Sequence, residues 1–372
     1  MAAITYDGQS FMIDGRRIWL VSGTVHMART PREQWADLIN TCKLSGLNAI
    51  TIPVVWARHE PRPGQFDFTG DNDLKYFVEL VGQAGMYAIL RMGPYIGGGY
   101  DMGGLPPWLL TLKDAALRTA NTAFLEATSR FFTALSKQLR DLQATALVAG
   151  PIVLVQNEQG WTCGADELAE DYLGELDRYI REAGFEVPIL NGNDLWQGVE
   201  GEIECWSGST NMLSNLRQLA SVRPSQPRIV GEFRVGSPQV WGEPVRQPEL
   251  NGASMSPSQL QRRLAEVLAA GAQFNIEPMF GGTSFGFSAG RLGNAPARFL
   301  CTSHDCGAPI DAAGRPGPLR EPLRRVAMFA RSFGRVLAHL DPKRQLVTML
   351  PSEEAGDNAD SGPVVVHAGG SQ

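Results

Sequence analysis

No stretch of this 372-residue sequence comes near the ~18 continuous apolar residues a membrane span requires. Its first residues, MAAITYDGQSFMIDGRR, lack the basic-then-apolar order of a secretory leader. No Asn-x-Ser/Thr acceptor occurs. These absences make a cytoplasmic location the expectation. Cysteine is sparse: five residues, at 42, 163, 205, 301 and 306. An odd, scattered set does not make a disulfide framework, so reduced and mostly buried thiols are expected. A basic excess is also missing, since 33 basic residues against 39 acidic ones give a net charge of −6. That argues against a nucleic-acid partner and against a strongly anionic substrate. With 43% hydrophobic residues, the chain has enough apolar material for a large core and is not a disordered segment.

What is present is an alternation. Eight apolar runs recur at Ile18–Val21, Ala49–Val55, Met86–Met92, Ile152–Val155, Val187–Leu190, Ile203–Trp206, Arg228–Val230 and Gln273–Met279. Near-continuous runs of this length suit parallel strands buried on both faces. Helical patterns lie between them, over Thr30–Ser45, Asp71–Ala84, Thr122–Leu142, Asp166–Ala183, Asn211–Ala220, Ser256–Ala270 and Pro322–Leu340. This order predicts an α/β fold, a (β/α)8 TIM barrel over residues 1–340. A doubly wound sheet is the competitor. It would usually carry a Gly-x-Gly-x-x-Gly turn after its first strand, and SGTVHMAR is not one. Residues 341–372 read differently. PSEEAGDNADSG is acidic and linker-like, and VVVHAGGSQ opens a new apolar run, so a linker and the start of a truncated β-rich domain are expected there.

Chemistry in such a barrel sits at the C-terminal strand ends. The fourth run ends in Gln156-Asn157-Glu158, the seventh in Gly231-Glu232-Phe233, and the eighth passes through Asn275 and Glu277. Glu158 and Glu232 would face each other across one mouth. A carboxyl pair in a cleft is the machinery of glycoside hydrolysis: one gives a proton to the leaving oxygen, the other attacks the anomeric carbon. The competing reading is that each caps a helix or binds an arginine. Asn157 is placed to hold a sugar 2-hydroxyl. Trp56, Tyr95, Tyr100, Trp161, Trp206 and Trp241 are candidate stacking platforms, with core packing expected to claim half of them. Arg91 is expected to pair with a catalytic carboxyl. Gly282-Thr-Ser-Phe-Gly286 fits a nucleophile elbow, but no helical pattern follows it. Cys301, His304 and Cys306 lack the spacing and the fourth ligand of a metal site. His26 and His59 lie near strand ends, each either a polar pocket residue or a satisfied structural histidine, and Glu60 reads as structural.

Several stretches carry a resemblance. SGTVHMARTPREQW, GLNAITIPVVWARHEPRPGQFDF, GMYAILRMGPYIGGGYDMGGLPPWLL, GPIVLVQNEQG, GEFRVGSPQVWGE and MFGGTSFGF resemble, in order, the signatures of glycoside hydrolase family 35, the β-galactosidase family. The resemblance runs from about Ser10 to Gly334. It implies a barrel followed by β domains, with Glu158 as acid/base, Glu232 as nucleophile, Asn157 on the 2-hydroxyl, and no metal or organic cofactor. It further implies retention of configuration, for which carboxyls ~5–5.5 Å apart are expected. The departures concern the sugar pocket. The family's galactose-gripping Glu falls on Gly99, a strand-2 Tyr on Ile52, a Tyr after the first-strand His on Met27, and an aromatic on Ser237. Another sugar-facing Tyr is replaced by His304. Gly97, Gly98 and Gly99 could then admit a larger or differently configured sugar, with Gly98, Tyr100, Trp206 and His304 in the substrate pocket. The expected function is a retaining β-glycosidase acting on a terminal sugar of an oligosaccharide or glycoconjugate. A catalytically silent sugar-binding protein is the alternative.

Overall fold

The last barrel strand returns to the first. In the computed structural model, which describes residues 3–162, 169–193, 197–243, 255–292, 298–305, 307–340, 347–350 and 364–367, three short strands come first. These are β1 (Ile4–Tyr6), β2 (Phe11–Ile13) and β3 (Arg16–Ile18), an antiparallel sheet. The barrel follows with β4 (Val21–Thr24), β5 (Ala49–Pro53), β6 (Tyr87–Gly93), β7 (Ile152–Asn157), β8 (Ile189–Asn191), β9 (Ile203–Glu204), β10 (Trp206–Ser207), β11 (Ile229–Arg234) and β12 (Gln273–Glu277). Their spatial order is β10-β11-β12-β4-β5-β6-β7-β8-β9, and every pairing is parallel. Only Cys205 separates β9 from β10, and its N–H donates to Asn191 O (3.0 Å). The two pieces therefore act as one strand, and the ring closes as the eight-stranded barrel that the alternation predicts.

The first run needs correction. Arg16–Ile18 belongs to the N-terminal sheet, and the barrel begins at Val21. Asp14 and Gly15 have φ of +50° and +73°, the two-residue turn that suits a tight hairpin. This turn places Ile18 in β3, ahead of Trp19 and Leu20, which link it to the barrel. The sheet is useful where it lies. Phe11 is buried with Leu20, Ala49, Ile89, Val153, Ile203 and Ile229 inside the barrel, and Ile4, Tyr6, Ile13 and Ile18 pack against them. One end of the barrel is thus sealed with hydrocarbon.

The outer face of the strands carries Ile50, Ile52, Leu90, Met92, Val155 and Phe274, which join the large core shared with the helices. Those helices occupy Trp35–Leu44, Leu74–Gln83, Thr122–Leu139, Glu175–Glu182, Met212–Val222, Pro257–Ala269 and Arg320–Ser332. Several start on side-chain caps: Asp73 accepts from Tyr76 N, Asn121 from Phe124 N, and Ser256 forms a capping box with Gln259. The first helix starts later than Thr30-Pro31 suggests. Residues Arg32–Gln34 form a 3-10 turn, and Thr30 instead accepts from the Trp35 indole (2.9 Å). Residues 166–168 of the predicted fourth helix lie outside the described residues. Beyond the barrel, β13 (Arg291–Leu292) and β14 (Arg298–Phe299) pair near the mouth, and β15 (Val347–Leu350) pairs antiparallel with β16 (Val364–His367). Among the described residues, no helix is long and apolar enough to cross a membrane.

Candidate active site

Polarity rises along the barrel interior. Above the apolar layer, Ser22 and Thr51 hydroxyls meet at 2.9 Å, and Asn275 Nδ2 donates to Thr24 Oγ1 (2.8 Å). Above these lies Arg91 of β6, fully buried, at the centre of the open end. Its Nη1 contacts Glu232 Oε1 (3.1 Å) and Glu277 Oε2 (3.3 Å), and its Nε donates to Gln156 Oε1 (3.2 Å). The predicted pairing of Arg91 with a strand-end carboxyl is therefore present at Glu232, and a second carboxyl shares it.

Glu232 stands near the end of β11. Its other oxygen, Oε2, accepts from Arg234 Nε and Nη2 (3.2 and 2.8 Å). Residues two apart on a strand share a face, so Glu232 and Arg234 meet without any loop between them. Glu158 follows β7 directly and is fully buried. Its carboxyl receives four donors. Arg118 Nε and Nη2 reach Oε1 and Oε2 (3.1 and 2.8 Å), Tyr172 Oη donates to Oε1 (2.6 Å), and Gln159 N donates to Oε2 (2.9 Å). Burial, and then Glu158 itself, push the Tyr172 phenol well above its ordinary pKa, so it remains a donor. Glu158 and Arg118 both have left-handed backbone, with φ of +52° and +58°. Such strain costs about 1–3 kcal/mol in a non-glycine residue and concentrates at functional sites.

Asn157 is arranged otherwise than expected. Gln156 points inward to Arg91, so alternation along β7 sends Asn157 toward the helical layer. Both its amide hydrogens are committed, to Leu173 O (3.0 Å) and Glu202 Oε1 (2.7 Å). Burial holds Glu202 well above the usual carboxyl range, and its Oε2 accepts from Asn191 (2.9 Å). In this arrangement Asn157 braces the turn that carries Glu158, with both its donors engaged inside the protein.

The glycine stretch is also filled. A Cβ on Gly98 would lie 2.8 Å from His26 Cε1, and one on Gly99 would lie 3.2 Å from His304 Cε1. The expected room for a larger sugar is occupied by these two imidazoles. His26 and His304 meet edge to face at 5.6 Å, and Tyr100 packs on His26 at 5.4 Å with Arg29 above its ring at 3.9 Å. Gly98 O accepts from Arg29 Nη2 (2.6 Å). Gly98, Tyr100 and His304 thus converge on His26. Ile52 does not belong there. It is buried in the outer core, and the position of β5 that shares a register with Arg91 is Pro53. Ser237 is exposed.

Trp206 lines a separate cleft of about 310 Å³ with Gln159, Asn193, Ser207, Gln218 and Arg234. This cleft adjoins both carboxyls, since Gln159 N bonds Glu158 and Arg234 bonds Glu232. The other aromatics divide. Tyr95 lies under Arg118 (3.8 Å), and Trp161 packs on Tyr172 (5.3 Å) while its indole donates to Arg118 O (2.9 Å). Trp56 is core, stacked on Phe131 at 4.8 Å and bonded to Glu60 (2.6 Å). Trp241 is exposed. His59 donates to Asp67 O (3.2 Å) away from the mouth. Ser284 accepts from Arg29 Nε (3.1 Å), and the residues after it form turns and short bridges, so no elbow exists. Cys306 lies outside the described residues, which contain no group of three metal-capable side chains. Arg118, Tyr172 and Arg234 were not anticipated. Only Arg234 left a trace in the sequence, two residues after a strand-end Glu.

A parallel eight-stranded barrel with one end sealed and two arginine-gripped carboxyls at the other has the architecture of the glycoside hydrolase barrels. The chain belongs to glycosyl hydrolases family 35, whose profile matches residues 10–329. It is 32% identical over 344 residues to a β-galactosidase of Canis lupus familiaris, covering 89% of this chain and 50% of that protein. It is 33% identical over 335 residues to a β-galactosidase of Xanthomonas manihotis, covering 86% of this chain and 54% of that one. The chain thus spans about half the length of these relatives. The barrel also superposes on the crystal structure of a β-galactosidase from Bacillus circulans sp. alkalophilus, with a TM-score of 0.62, 12% identity, and coverage of 86% of this chain and 57% of that one. At that identity the likeness concerns the fold.

Proposed function

We propose that this chain is the catalytic barrel of a retaining β-glycosidase of the β-galactosidase type, acting on a terminal sugar of an oligosaccharide or glycoconjugate. One observation carries the reading. Glu158 and Glu232, 74 positions apart in the sequence, lie at one barrel mouth, each with its oxygens fixed by donors. In the reaction Glu158 gives a proton to the glycosidic oxygen as Glu232 attacks the anomeric carbon. Glu158 then takes a proton from water, which displaces Glu232 and restores the configuration.

The local geometry assigns supporting work. Arg91 and Arg234 take one oxygen each of Glu232 and lock its rotamer, which favours a near-attack position. Four donors fill the acceptor sites of Glu158, the pattern of a carboxylate, so one of them must leave and Glu158 must take up a proton from solvent before it can protonate the glycosidic oxygen. Tyr172 and the Gln159 N–H are buried, whereas a quarter of the Arg118 side chain is exposed. Arg118 is therefore the group that yields. The polar cleft at Trp206 and Arg234 is the place for the leaving group.

Hydrolysis of p-nitrophenyl β-galactoside, glucoside, fucoside, arabinoside, xyloside and glucosaminide tests the reading, with Glu232→Gln as the blank. Release from one sugar that vanishes in the blank supports it. Wild-type turnover retained by folded Glu232→Gln would overturn the mechanism, and silence of the folded wild type on the whole panel would favour a sugar-binding protein.

A further inference from the structure

The sugar pocket has lost the room and the side chains of the loop after β6, yet it holds a third carboxyl. Glu277 ends β12 in the same interior layer as Glu232, and one guanidinium nitrogen, Arg91 Nη1, bridges the two. Its other oxygen accepts from His26 Nε2 (3.2 Å). Burial, with the charges of Arg29 and Arg91, pushes the pKa of His26 well below its ordinary value. A neutral imidazole that faces a carboxylate through Nε2 carries its proton there. Nδ1 then has no hydrogen-bond partner.

Each oxygen of Glu277 thus receives one donor from the protein. A carboxylate has about four acceptor sites, so one on each oxygen is left. Glu277 is not sealed off, because about a tenth of its side chain is exposed. Across Arg91 stands the carboxylate of Glu232, and the rest of the wall is uncharged or cationic. His304, pushed well below its ordinary pKa by burial and by Arg29, is neutral, and Gly98 and Gly99 contribute no side chain. Burying a carboxyl here has a cost unless it is used or fully paired, and its pairing is half complete.

We propose that Glu277 is the specificity-determining residue of the glycone pocket. Resting on the glycosidase reading above, it accepts hydrogen bonds from one or two sugar hydroxyls while His26 and Arg91 hold its two oxygens in place. This pocket selects a neutral sugar through hydroxyl donors on the β12 side. It does not select through the loop after β6, where His26 and His304 fill the space.

The test pairs a residue with a hydroxyl. Wild type, Glu277→Gln and Glu277→Ala are assayed on p-nitrophenyl β-galactoside and its 2-, 3-, 4- and 6-deoxy analogues. Calorimetric binding of galactose and the matching deoxygalactoses is measured alongside. In wild type, loss of the facing hydroxyl costs about ten- to hundred-fold, the worth of a hydrogen bond to a charged group. In Glu277→Ala that penalty shrinks to near unity and in Glu277→Gln, where a neutral amide replaces the charge, to a few-fold, while the penalties at the other hydroxyls persist. Equal loss on every analogue would show that Glu277 only supports Arg91, and would overturn the proposal with the glycosidase reading intact. Coupling seen in binding without any wild-type hydrolysis would overturn the glycosidase reading and keep this one. Failure of the folded wild type to bind any of these sugars would overturn both. If Glu277→Ala does not fold, Glu277→Gln, which retains an acceptor for Arg91 or His26, decides.

Discussion

Gly98 and His26 are in contact across the barrel mouth so closely that a Cβ on the glycine would stand 2.8 Å from the imidazole Cε1. His26 is fully buried between Glu277 and Tyr100 and has little room to retreat. Gly98 also has φ of +60°. Gly98→Ala should therefore cost about 1–3 kcal/mol for overpacking, with about 1 kcal/mol more for the left-handed backbone. A thermal melt reads this directly. An unchanged melting temperature would mean that the loop shifts freely and that the pocket is more open than it stands here.

Arg91 holds the mouth together. Replacing it with Ala leaves Glu232 and Glu277 facing one another without their common partner. Breaking a buried ion pair in this way typically costs about 3–5 kcal/mol. Arg91→Ala is expected to lower the urea midpoint strongly, and Arg91→Lys to restore part of the stability but not both contacts, since an ammonium lacks the planar fork.

Glu158→Gln removes the proton donor and keeps the shape. Turnover of substrates with poor leaving groups should fall about 10²–10⁴-fold, the range of general acid catalysis. A 2,4-dinitrophenyl glycoside, whose leaving group needs no proton, should lose much less in glycosylation. Equal losses on both would take the acid role away from Glu158.

His59 links stability to pH. Burial pushes its pKa from 6.5 to about 4. Between these values the unfolded chain binds a proton and the folded one does not, so stability falls as the pH drops from 6.5 toward 4. The full worth of His59 is about 3 kcal/mol. His26 and His304, also pushed down by burial, act in the same direction. Urea titrations between pH 7 and 4 should show this slope, and His59→Gln should reduce it. A stability independent of pH across this range would contradict the neutral, buried histidines.

Cys42 and Cys205 are buried free thiols. Burial pushes Cys42 up to about 12 and Cys205 higher still, and Cys205 donates to Asn191 O. Thiolate, and so reactivity, is scarce at both. Iodoacetamide at pH 8 should leave both unlabelled in the native protein and label both after denaturation, as read by peptide mass spectrometry.

Much of this molecule was written locally. Seven of the eight barrel strands were legible because burial on both faces demands continuous apolar runs. The two carboxyls were legible because the C-terminal strand end is where such a barrel can place chemistry. Asp14-Gly15 was legible in principle as a hairpin turn, but the apolar residues Ile18–Val21 masked it by serving two sheets in succession. The direction of Asn157 was lost because a one-residue step on a strand changes its face, and Ile52 was misplaced for the same reason.

By itself, then, the sequence determined the barrel, which end of it is open to chemistry, and Glu158 and Glu232 as residues of that end. Only the tertiary structure decided what surrounds them. Arg118 meets Glu158 across 40 residues and Arg91 meets Glu277 across 186. No periodicity records such partners, because closure of the ring alone brings β6, β7, β11 and β12 to one mouth. Closure also decided that the space at Gly98 and Gly99 belongs to His26 and His304, since the volume a missing side chain leaves is filled by whatever the fold packs against it.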